Sequence, residues 1–497
     1  MTSQDSPPEI EYPEKIDGAV LKIAGVVVLG AIMSILDITV VSVALPTFQD
    51  VFDASYATVA WTMTAYTLAL ATVIPLTGWA ADRFGTKRLY LAALFLFTAG
   101  SVLCALASSV EMLVVFRVLQ GLGGGMLMPL GMTILTRAAG PDRIGRLMAV
   151  LGIPMLLGPI AGPILGGWLI DIASWHWIFL INLPIGIAAL VYSQRVLPKD
   201  APSPTERFDF MGMLLLSPGL ALFLFGVSSI AEGGEGASFG PRVWLSATIG
   251  VLLIISFVFH ALRTEKPLID LRLFRNRRLT IATVSMFVFI IAFMGAGLLF
   301  PSYFLQVRGE TTLMAGLLIA PQGIGAMITM PIAGILADKV PIGRTVPVAL
   351  LVMAAGFFAF TQVTADTSYW VLCGALFVMG LGMGGTMMPI MTSALQSLTN
   401  HEVARGSTIV NIVQQIGGSI GTAVLSVVLT NQLTSTPGPD DTNPLEFMAD
   451  GFGATFMVAF VLVLLALIPV AFLPRKKEAS HFLDDEDGVT PPPVMMH

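Results

Sequence analysis

The first long apolar stretch of the chain ends in Leu36-Asp37-Ile38-Thr39-Val40-Val41-Ser42-Val43-Ala44-Leu45-Pro46. This stretch places one carboxylate, that of Asp37, among side chains that are almost all hydrocarbon. A charged side chain at membrane depth costs free energy, so it usually pairs with another group and marks a functional site. The stretch therefore predicts a helix inside a membrane and makes Asp37 a candidate functional residue.

The composition predicts the same class of protein. Of the 497 residues, 55% are hydrophobic and only 12% are charged, whereas soluble domains have about 25% charged residues. A helix needs about 20 apolar residues to cross a bilayer. Fourteen apolar runs of this kind predict an all-α integral membrane protein with 14 transmembrane helices. The runs span approximately 20–45, 57–79, 88–107, 112–135, 146–170, 177–197, 210–231, 242–262, 279–304, 313–336, 345–363, 369–395, 407–430 and 452–473.

The basic residues predict the orientation of these helices. Of the 26 Lys and Arg residues, 23 lie in alternate loops and at the two ends of the chain. Arg242 and Arg308 lie on the opposite side, and Arg117 lies inside the fourth run. Because Lys and Arg concentrate in cytoplasmic loops, we expect this basic face and both termini to be cytoplasmic. Basic residues do not combine with aromatic residues into a patch that suggests nucleic acid.

Two sequence patterns recur along the chain. Gly78-Trp79-Ala80-Ala81-Asp82 recurs as Gly334-Ile335-Leu336-Ala337-Asp338, an offset of 334 − 78 = 256 residues. The glycine-rich stretch that begins at Gly121 recurs from Gly380, an offset of 380 − 121 = 259. We therefore expect two homologous six-helix halves with two helices inserted between them. Such halves enclose a substrate site near the membrane midplane.

This repeat divides the chain into five predicted parts. A cytoplasmic N-terminal tail is expected at 1–20 and an N-terminal half at 21–200. The two-helix insertion is expected at 201–265 and the C-terminal half at 266–475. The acidic, proline-containing stretch at 476–497 predicts a disordered cytoplasmic tail.

Arg117 is expected at a depth close to that of Asp37. If the first helix ends near Pro46, Asp37 lies 46 − 37 = 9 residues from the outer side. If the fourth begins near Glu111, Arg117 lies 117 − 111 = 6 residues from that side. The depths then differ by roughly 5 Å, so the two side chains are able to pair, which lowers the cost of burying both.

Two interpretations of this pair are open. It is either a structural ion pair between two helices or a protonation site for transport. The equivalent positions in the second half, Phe293–Ala296 and Cys373–Leu376, are uncharged. This asymmetry favours function, since a coupling site is needed only once. Gln120, one turn after Arg117, is a candidate for relaying the proton.

Two further motifs suggest conformational roles. The turn after the second run combines glycines with charges and predicts either a topological anchor or a charge latch between the halves. The fifth run has a small-xxx-small face with prolines, and it predicts either close helix packing or a bendable seal between the halves. The latch candidates are Gly78, Asp82, Arg83, Gly85, Lys87 and Arg88. The candidates in the fifth run are Gly158, Pro159, Gly162, Pro163, Gly166 and Gly167.

A substrate cavity is expected to have aromatic, methionine and amide walls. Aromatic rings hold cations by π contacts, and methionine adapts to varied apolar shapes. Since Asp37 is the one acid well inside the membrane, monovalent lipophilic cations or neutral amphiphiles are favoured over dications. Ordinary core packing or lipid contact is the alternative for each candidate. The candidates are Met33, Trp61, Tyr66, Met155, Met286, Phe289, Phe293, Tyr303, Phe304, Gln306, Gln322, Asn411 and Gln415.

Several of these motifs together resemble those of one family. Five stretches, in order along the chain, are similar to motifs of the major facilitator superfamily. They are Leu36 to Pro46, Gly78 to Arg88, Arg117-Val118-Leu119-Gln120-Gly121, the Gly/Pro run of the fifth helix and Trp175 to Gly186. The similarity is to its fourteen-helix drug:proton antiporters of the EmrB/QacA type and covers about 20–475. Ser42 and His176 depart from the family pattern, where Asn and Arg are usual.

The resemblance implies a proton-coupled exporter of drugs and other amphiphiles in a bacterial cytoplasmic membrane. It implies that the proton gradient is the energy source and that no cofactor or metal is needed. It also implies a monomer and leaves open whether an adaptor protein takes part. A translocator of lipids or lipid conjugates for the cell envelope is the alternative. A membrane enzyme or receptor is least favoured, because no metal-ligand cluster or nucleophile motif stands out in the sequence.

Overall fold

The computed structural model describes residues 18–139, 143–199, 208–232, 241–399, 402–434 and 444–475. Within these ranges the regular structure is helical, with no β-strand. The first six helices are α1 (Gly18–Phe52), α2 (Tyr56–Phe84), α3 (Thr86–Ala105), α4 (Val110–Ala139), α5 (Ile144–Ile172) and α6 (Trp177–Val196, interrupted at Ile181). The next two are α7 (Phe210–Glu232) and α8 (Pro241–Arg263), followed by a 3-10 turn at Leu271–Arg275. The last six are α9 (Arg277–Gln306), α10 (Thr312–Lys339), α11 (Ile342–Phe360), α12 (Tyr369–Gln396), α13 (Val403–Thr434) and α14 (Pro444–Val470).

These helices confirm an all-α integral membrane fold. Within the described ranges, thirteen of them are long and apolar enough to cross a bilayer. Helix α5 is not among the thirteen, so the count of fourteen crossings stays a prediction. The cytoplasmic location of the termini also stays a prediction, since 1–17 and 476–497, which include most of both predicted tails, lie outside the described residues.

The first helix is longer than the sequence indicates. It continues through Pro46 to Phe52, so the expectation that it ends near Pro46 is wrong. A proline removes one backbone hydrogen bond, but membrane helices tolerate this loss because nearby side chains and helices satisfy the freed carbonyl. The chain turns only after the helix, at Asp53, which has a φ of 47°. Asp37 therefore lies 52 − 37 = 15 residues from the C-terminal end of α1.

The internal repeat is visible in how closely the helices approach each other. A Cβ added at Gly121 of α4 would lie 2.6 Å from the carbonyl oxygen of Tyr66 on α2. A Cβ added at Gly380 of α12 would lie 2.0 Å from the carbonyl oxygen of Gln322 on α10. Since 322 − 66 = 256 and 380 − 121 = 259, the two contacts reproduce both sequence offsets. Glycine is required at each because a side chain would collide with backbone.

The two halves meet near the basic face of the molecule. Gly78 near the end of α2 packs against Ala404 and Thr408 at the start of α13. Gly334 near the end of α10 packs against Gly145 at the start of α5, where a Cβ added at Gly334 would lie 2.7 Å from the carbonyl oxygen of Gly145. The pair α10/α5 is the repeat equivalent of the pair α2/α13. The structure is therefore a conformation in which the halves are in contact at the basic face.

The two inserted helices pack beside this contact. Helices α7 and α8 lie against each other, and α7 also touches α2 in the first half and α13 in the second. The ring of Phe225 stacks on Trp61 at 5.5 Å between centroids, and that of Phe208 lies 4.4 Å from Trp79. Helix α7 thus covers one side of the interface between the halves.

The close approach of α13 to α9 gives a prediction about stability. A Cβ at Gly421 would lie 2.1 Å from the carbonyl oxygen of Ile291, whereas one at Gly374 would meet nothing within 4 Å. Gly421→Val is expected to destabilise the purified protein by about 1–3 kcal/mol, because the backbone of α9 at Ile291 cannot move aside without a cost in free energy. Gly374→Val is the matched control. Thermal unfolding in detergent measures both, and equal melting temperatures would contradict the assigned helix contact.

Candidate functional site

Asp37 is completely enclosed by protein. Only 1% of its surface is exposed, and Arg117 is 0% exposed. The Nη1 atom of Arg117 donates a hydrogen bond to Oδ2 of Asp37, which forms an ion pair between α4 and α1. Because the two charges share one buried site, each lowers the cost of burying the other.

Two amides also bind the carboxylate. Gln120 Nε2 donates to Asp37 Oδ1 at 2.7 Å, and Asn182 Nδ2 approaches the same oxygen at 3.4 Å. Asn182 lies just after the interruption of α6 and also donates to Ser101 Oγ of α3 at 3.1 Å. The carboxylate therefore has donors from α4 and α6, and an ionised carboxylate, which only accepts, satisfies all of them.

The guanidinium of Arg117 has its own set of partners. Its Nε donates to the carbonyl of Thr62 on α2 at 3.0 Å, and its Nη1 donates to Gln120 Oε1 at 2.8 Å. It lies 4.1 Å from the ring centroid of Tyr66, a cation–π contact. Gln120 thus binds both members of the ion pair, and the cluster joins α1, α2, α4 and α6.

The glycine face of α5 packs against the helix that carries Asp37. Added Cβ atoms at Gly158, Gly162 and Gly166 would meet Ile35, Thr39 and Val40 of α1, respectively, at 2.1, 1.9 and 3.2 Å.

Thr39 Oγ1 also donates to the carbonyl of Gly158 at 3.1 Å. In this conformation the face packs against α1 inside the first half, as close helix packing predicts, and a role as a bendable seal between the halves stays a prediction. Nothing lies within 4 Å of an added Cβ at Gly167. The side chains of Pro159 and Pro163 lie outside the described residues.

Asp82 lies between the halves at the end of α2. Its Oδ2 is 3.6 Å from Arg405 Nε on α13, and its Oδ1 is 3.6 Å from Arg137 Nη2 on α4. Gly78, one turn earlier, packs against the same part of α13. The geometry is compatible with a charge latch, and the partner across the interface is Arg405.

The remaining latch candidates lie within the first half. Gly85 has a φ of 92°, which only glycine adopts without strain, and it forms the turn between α2 and α3. Lys87 Nζ donates to the carbonyl of Gln194 at 2.8 Å and to that of Leu197, so it binds the C-terminal end of α6. Arg83 and Arg88 are exposed.

Six of the cavity candidates face no open space in this conformation. Each is at most 2% exposed, so its side chain contributes to packing here. Tyr66 lies against Arg117, and the hydroxyl of Tyr303 donates to the carbonyl of Thr364 at 2.8 Å. The six are Met33, Tyr66, Met286, Phe289, Tyr303 and Phe304.

The other candidates are more accessible, with one exception. Trp61 is 43% exposed, Gln306 is exposed, and three others are half-buried. Asn411 is buried, and its Nδ2 donates to Ser407 O at 2.8 Å and lies 3.1 Å from Met132 Sδ on α4 of the other half. The half-buried residues are Phe293, Gln322 and Gln415. The side chain of Met155 lies outside the described residues.

Several partners of the site were not found from the sequence. Spacing along the sequence does not identify three of them as partners: Asn182, the carbonyl of Thr62 and Arg405. The weak signal for Asn182 was an amide inside an apolar run, next to the interruption of α6. The signal for Arg405 was a lone basic residue at the start of a helix.

The fold and the buried charge cluster are those of a multi-pass membrane transporter. The profile of the Major Facilitator Superfamily matches residues 27–422, and the chain belongs to that superfamily. The multidrug resistance protein B homolog of Mycobacterium tuberculosis (strain H37Rv) is 48% identical over 503 residues, which cover 95% of this chain and 93% of that protein. The multidrug export protein EmrB of Escherichia coli (strain K12) is 31% identical over 467 residues, 90% and 89% of the two chains.

Solved structures confirm the fold. The human organic anion transporter MFSD10 superposes with a TM-score of 0.61 at 17% identity and covers 91% of this chain and 100% of that one. The proton:xylose symporter XylE superposes with a TM-score of 0.62 at 16% identity, covering 93% and 97%. The resemblance noted from the motifs is therefore confirmed for the superfamily and its multidrug efflux members.

The buried pair gives a prediction for a double-mutant cycle. Arg117→Met is expected to cost about 3–5 kcal/mol, because it leaves the Asp37 carboxylate buried without its cation. Adding Asp37→Asn should recover part of that loss, since the remaining group is neutral. Arg137→Met, which removes an arginine from the partly exposed end of α4, is the control and should cost less. Thermal unfolding measures the cycle, and strictly additive effects would contradict a direct interaction.

Proposed function

We propose that the chain is a proton-coupled antiporter that exports lipophilic or amphiphilic compounds, including monovalent organic cations, across the cytoplasmic membrane. The observation that carries this proposal is the buried cluster at Asp37. A carboxylate that is enclosed and held by a guanidinium and two amides costs free energy to build. The position equivalent to Asp37 in the second half is the uncharged Phe293. This difference between the halves supports a role for Asp37 beyond joining helices.

Proton binding at Asp37 would change the whole cluster. The ionised carboxylate accepts hydrogen bonds from Arg117, Gln120 and Asn182. A protonated carboxyl carries a donor of its own and no longer balances the charge of Arg117. The present arrangement therefore fits the ionised form, and protonation favours a different position of α1 relative to α4 and α6.

The packing offers a route from this change to the interface between the halves. Helix α5 is packed against α1 at Ile35, Thr39 and Val40, on both sides of Asp37 in sequence. The other end of α5 packs against α10 of the second half, where an added Cβ at Gly152 would lie 2.3 Å from Met330 Sδ. A shift of α1 thus displaces α5, and α5 contacts the second half directly.

The relatives and the accessible candidate residues support the proposed substrate class. Two relatives are named for multidrug resistance or export, which supports amphiphilic compounds as the cargo of this chain. The accessible candidates combine aromatic faces with amides and carry no charge; they are Trp61, Phe293, Gln306, Gln322 and Gln415. In this proposal the proton gradient supplies the energy, and a monomer in the bilayer is sufficient for exchange.

Asp37→Asn tests the proposal. In everted membrane vesicles that carry the full-length protein, this variant should reduce substrate accumulation to the level seen with an uncoupler, because an amide cannot bind and release a proton near neutral pH. Asp50→Asn, which neutralises an exposed acid on the same helix, is the control and should transport normally. A compound panel should include lipophilic cations, neutral amphiphiles and phospholipid analogues.

Two outcomes would contradict the proposal. Uncoupler-sensitive accumulation by Asp37→Asn would show that proton coupling does not need this carboxylate. Movement of phospholipid analogues alone, with no transport of drug-like compounds, would instead identify a lipid translocator.

The contact between Asp82 and Arg405 gives a second prediction. Arg405→Gln should destabilise the state that is closed at the basic face by about 1 kcal/mol or less, as for other partly exposed ion pairs. A Ser407→Cys reporter, in a background with Cys104 and Cys373 replaced by serine, lies buried near this contact.

Labelling of this Ser407→Cys reporter by a membrane-impermeant maleimide in everted vesicles should rise by up to about fivefold with Arg405→Gln, since about 1 kcal/mol changes the ratio of two states by about fivefold. Arg344→Gln, an exposed arginine on the same face, should leave the rate unchanged. An equal rise in both variants would contradict a latch role for Asp82 and Arg405.

A further inference from the structure

A cavity of about 430 Å³ lies at the basic end of the second half. Its volume falls in the range of about 300–1,000 Å³ that is usual for ligand sites. Three arginines from two separate parts of the chain line it, together with apolar side chains. The arginines are Arg277, Arg278 and Arg475, and the apolar residues are Ile281, Phe472 and Leu473.

Hydrogen bonds fix the walls of this cavity. Asn276 caps α9 by accepting the backbone N–H of Arg278 at 3.0 Å, and its Nδ2 donates to the carbonyl of Ser397 at the end of α12 at 2.7 Å. The backbone N–H of Gly343, at the start of α11, donates to the carbonyl of Pro474 at 3.0 Å. The arginines therefore project from a framework in which the start of α9 is tied to the end of α12, and the start of α11 to the segment after α14.

The charge of the lining favours an anion. Among the described residues that line the cavity, three carry a guanidinium and none carries a carboxylate. The start of α9 adds the positive end of a helix dipole. Guanidinium groups bind phosphate oxygens with paired hydrogen bonds, so phosphate is the anion that this lining fits best.

Topology alone does not require this arrangement. The positive-inside rule needs Lys and Arg on one side of the membrane but does not need them to converge. Arg275, in the same basic stretch, is exposed and does not line the cavity. Arg277 and Arg475 are far apart in sequence, and the fold brings them to one space.

The apolar side of the cavity identifies the source of the phosphate. Phe472 is 61% exposed on the outside of the second half, where lipid is expected, and it also lines the cavity. Ile281 continues the apolar wall one turn into α9. We propose that this cavity binds the phosphate headgroup of an anionic phospholipid from the leaflet at the basic face, with its acyl chains beside Phe472.

Binding would connect parts that belong to different helices. A phosphate between Arg277 and Arg475 joins the start of α9 to the segment after α14. The lipid therefore stabilises the second half, independently of proton coupling at Asp37.

Native mass spectrometry of the full-length protein tests the site. The detergent-purified protein is titrated with phosphatidylglycerol, phosphatidylcholine or inorganic phosphate. Phosphatidylglycerol should bind the unaltered protein with the highest affinity. The double variant Arg277→Gln/Arg475→Gln should bind it roughly 25-fold more weakly, since each arginine removed from the cavity lining loses about 1 kcal/mol of attraction to the anionic headgroup, or about fivefold in affinity. Arg275→Gln, the matched control, should keep full affinity.

A charge-retaining double variant, Arg277→Lys/Arg475→Lys, separates loss of the site from misfolding, and it should recover most of the binding. Equal weakening by Arg275→Gln and by the double glutamine variant would overturn the cavity as the site. Inorganic phosphate that binds as tightly as phosphatidylglycerol would overturn the lipid assignment.

Discussion

The buried ion pair between Asp37 and Arg117 is the constraint on which the first half depends. Two charges inside a membrane protein persist only if the surrounding groups replace the water they have lost. Here Gln120 binds both charges, Asn182 approaches the carboxylate, and the carbonyl of Thr62 accepts from the guanidinium. The pair and these partners together come from four helices, α1, α2, α4 and α6, so the position of each helix is determined partly by the requirement to satisfy the pair.

Small residues make this arrangement possible, because they let helices approach to backbone contact. Gly158 and Gly162 place α5 directly against α1, beside Asp37. Gly121 and Gly380 produce the same approach once in each half. Among the described residues, close glycine contacts thus occur in both halves, whereas the fully buried ion pair lies in the first half. This division separates the shared scaffold from the site where a proton is expected to act.

The contact between the halves has a different character from the contacts inside them. It combines a close glycine approach, Gly78 against α13, with partly exposed charges at Asp82 and Arg405. Partly exposed ion pairs contribute little free energy, about 1 kcal/mol or less. A contact of this kind costs little free energy to break, whereas the fully buried cluster at Asp37 is costly to disrupt. In the proposed cycle, the weak contact moves and the charge of the buried cluster controls that movement.

The sequence by itself determined the class of fold and the repeat, and it singled out the two charges that form the buried pair. A bilayer requires about 20 apolar residues for each helix, and the repeat offsets of 256 and 259 residues reappear in the helix contacts. Charged residues in apolar runs are rare, so Asp37 and Arg117 were recognisable without a structure. Only the tertiary structure decided their amide partners, the pairing of Asp82 with Arg405, the packing of the α5 glycines on α1, and the burial of six expected cavity residues. The physical reason is that a partner's identity depends on how each helix is rotated and placed against its neighbours, which spacing along one helix does not specify.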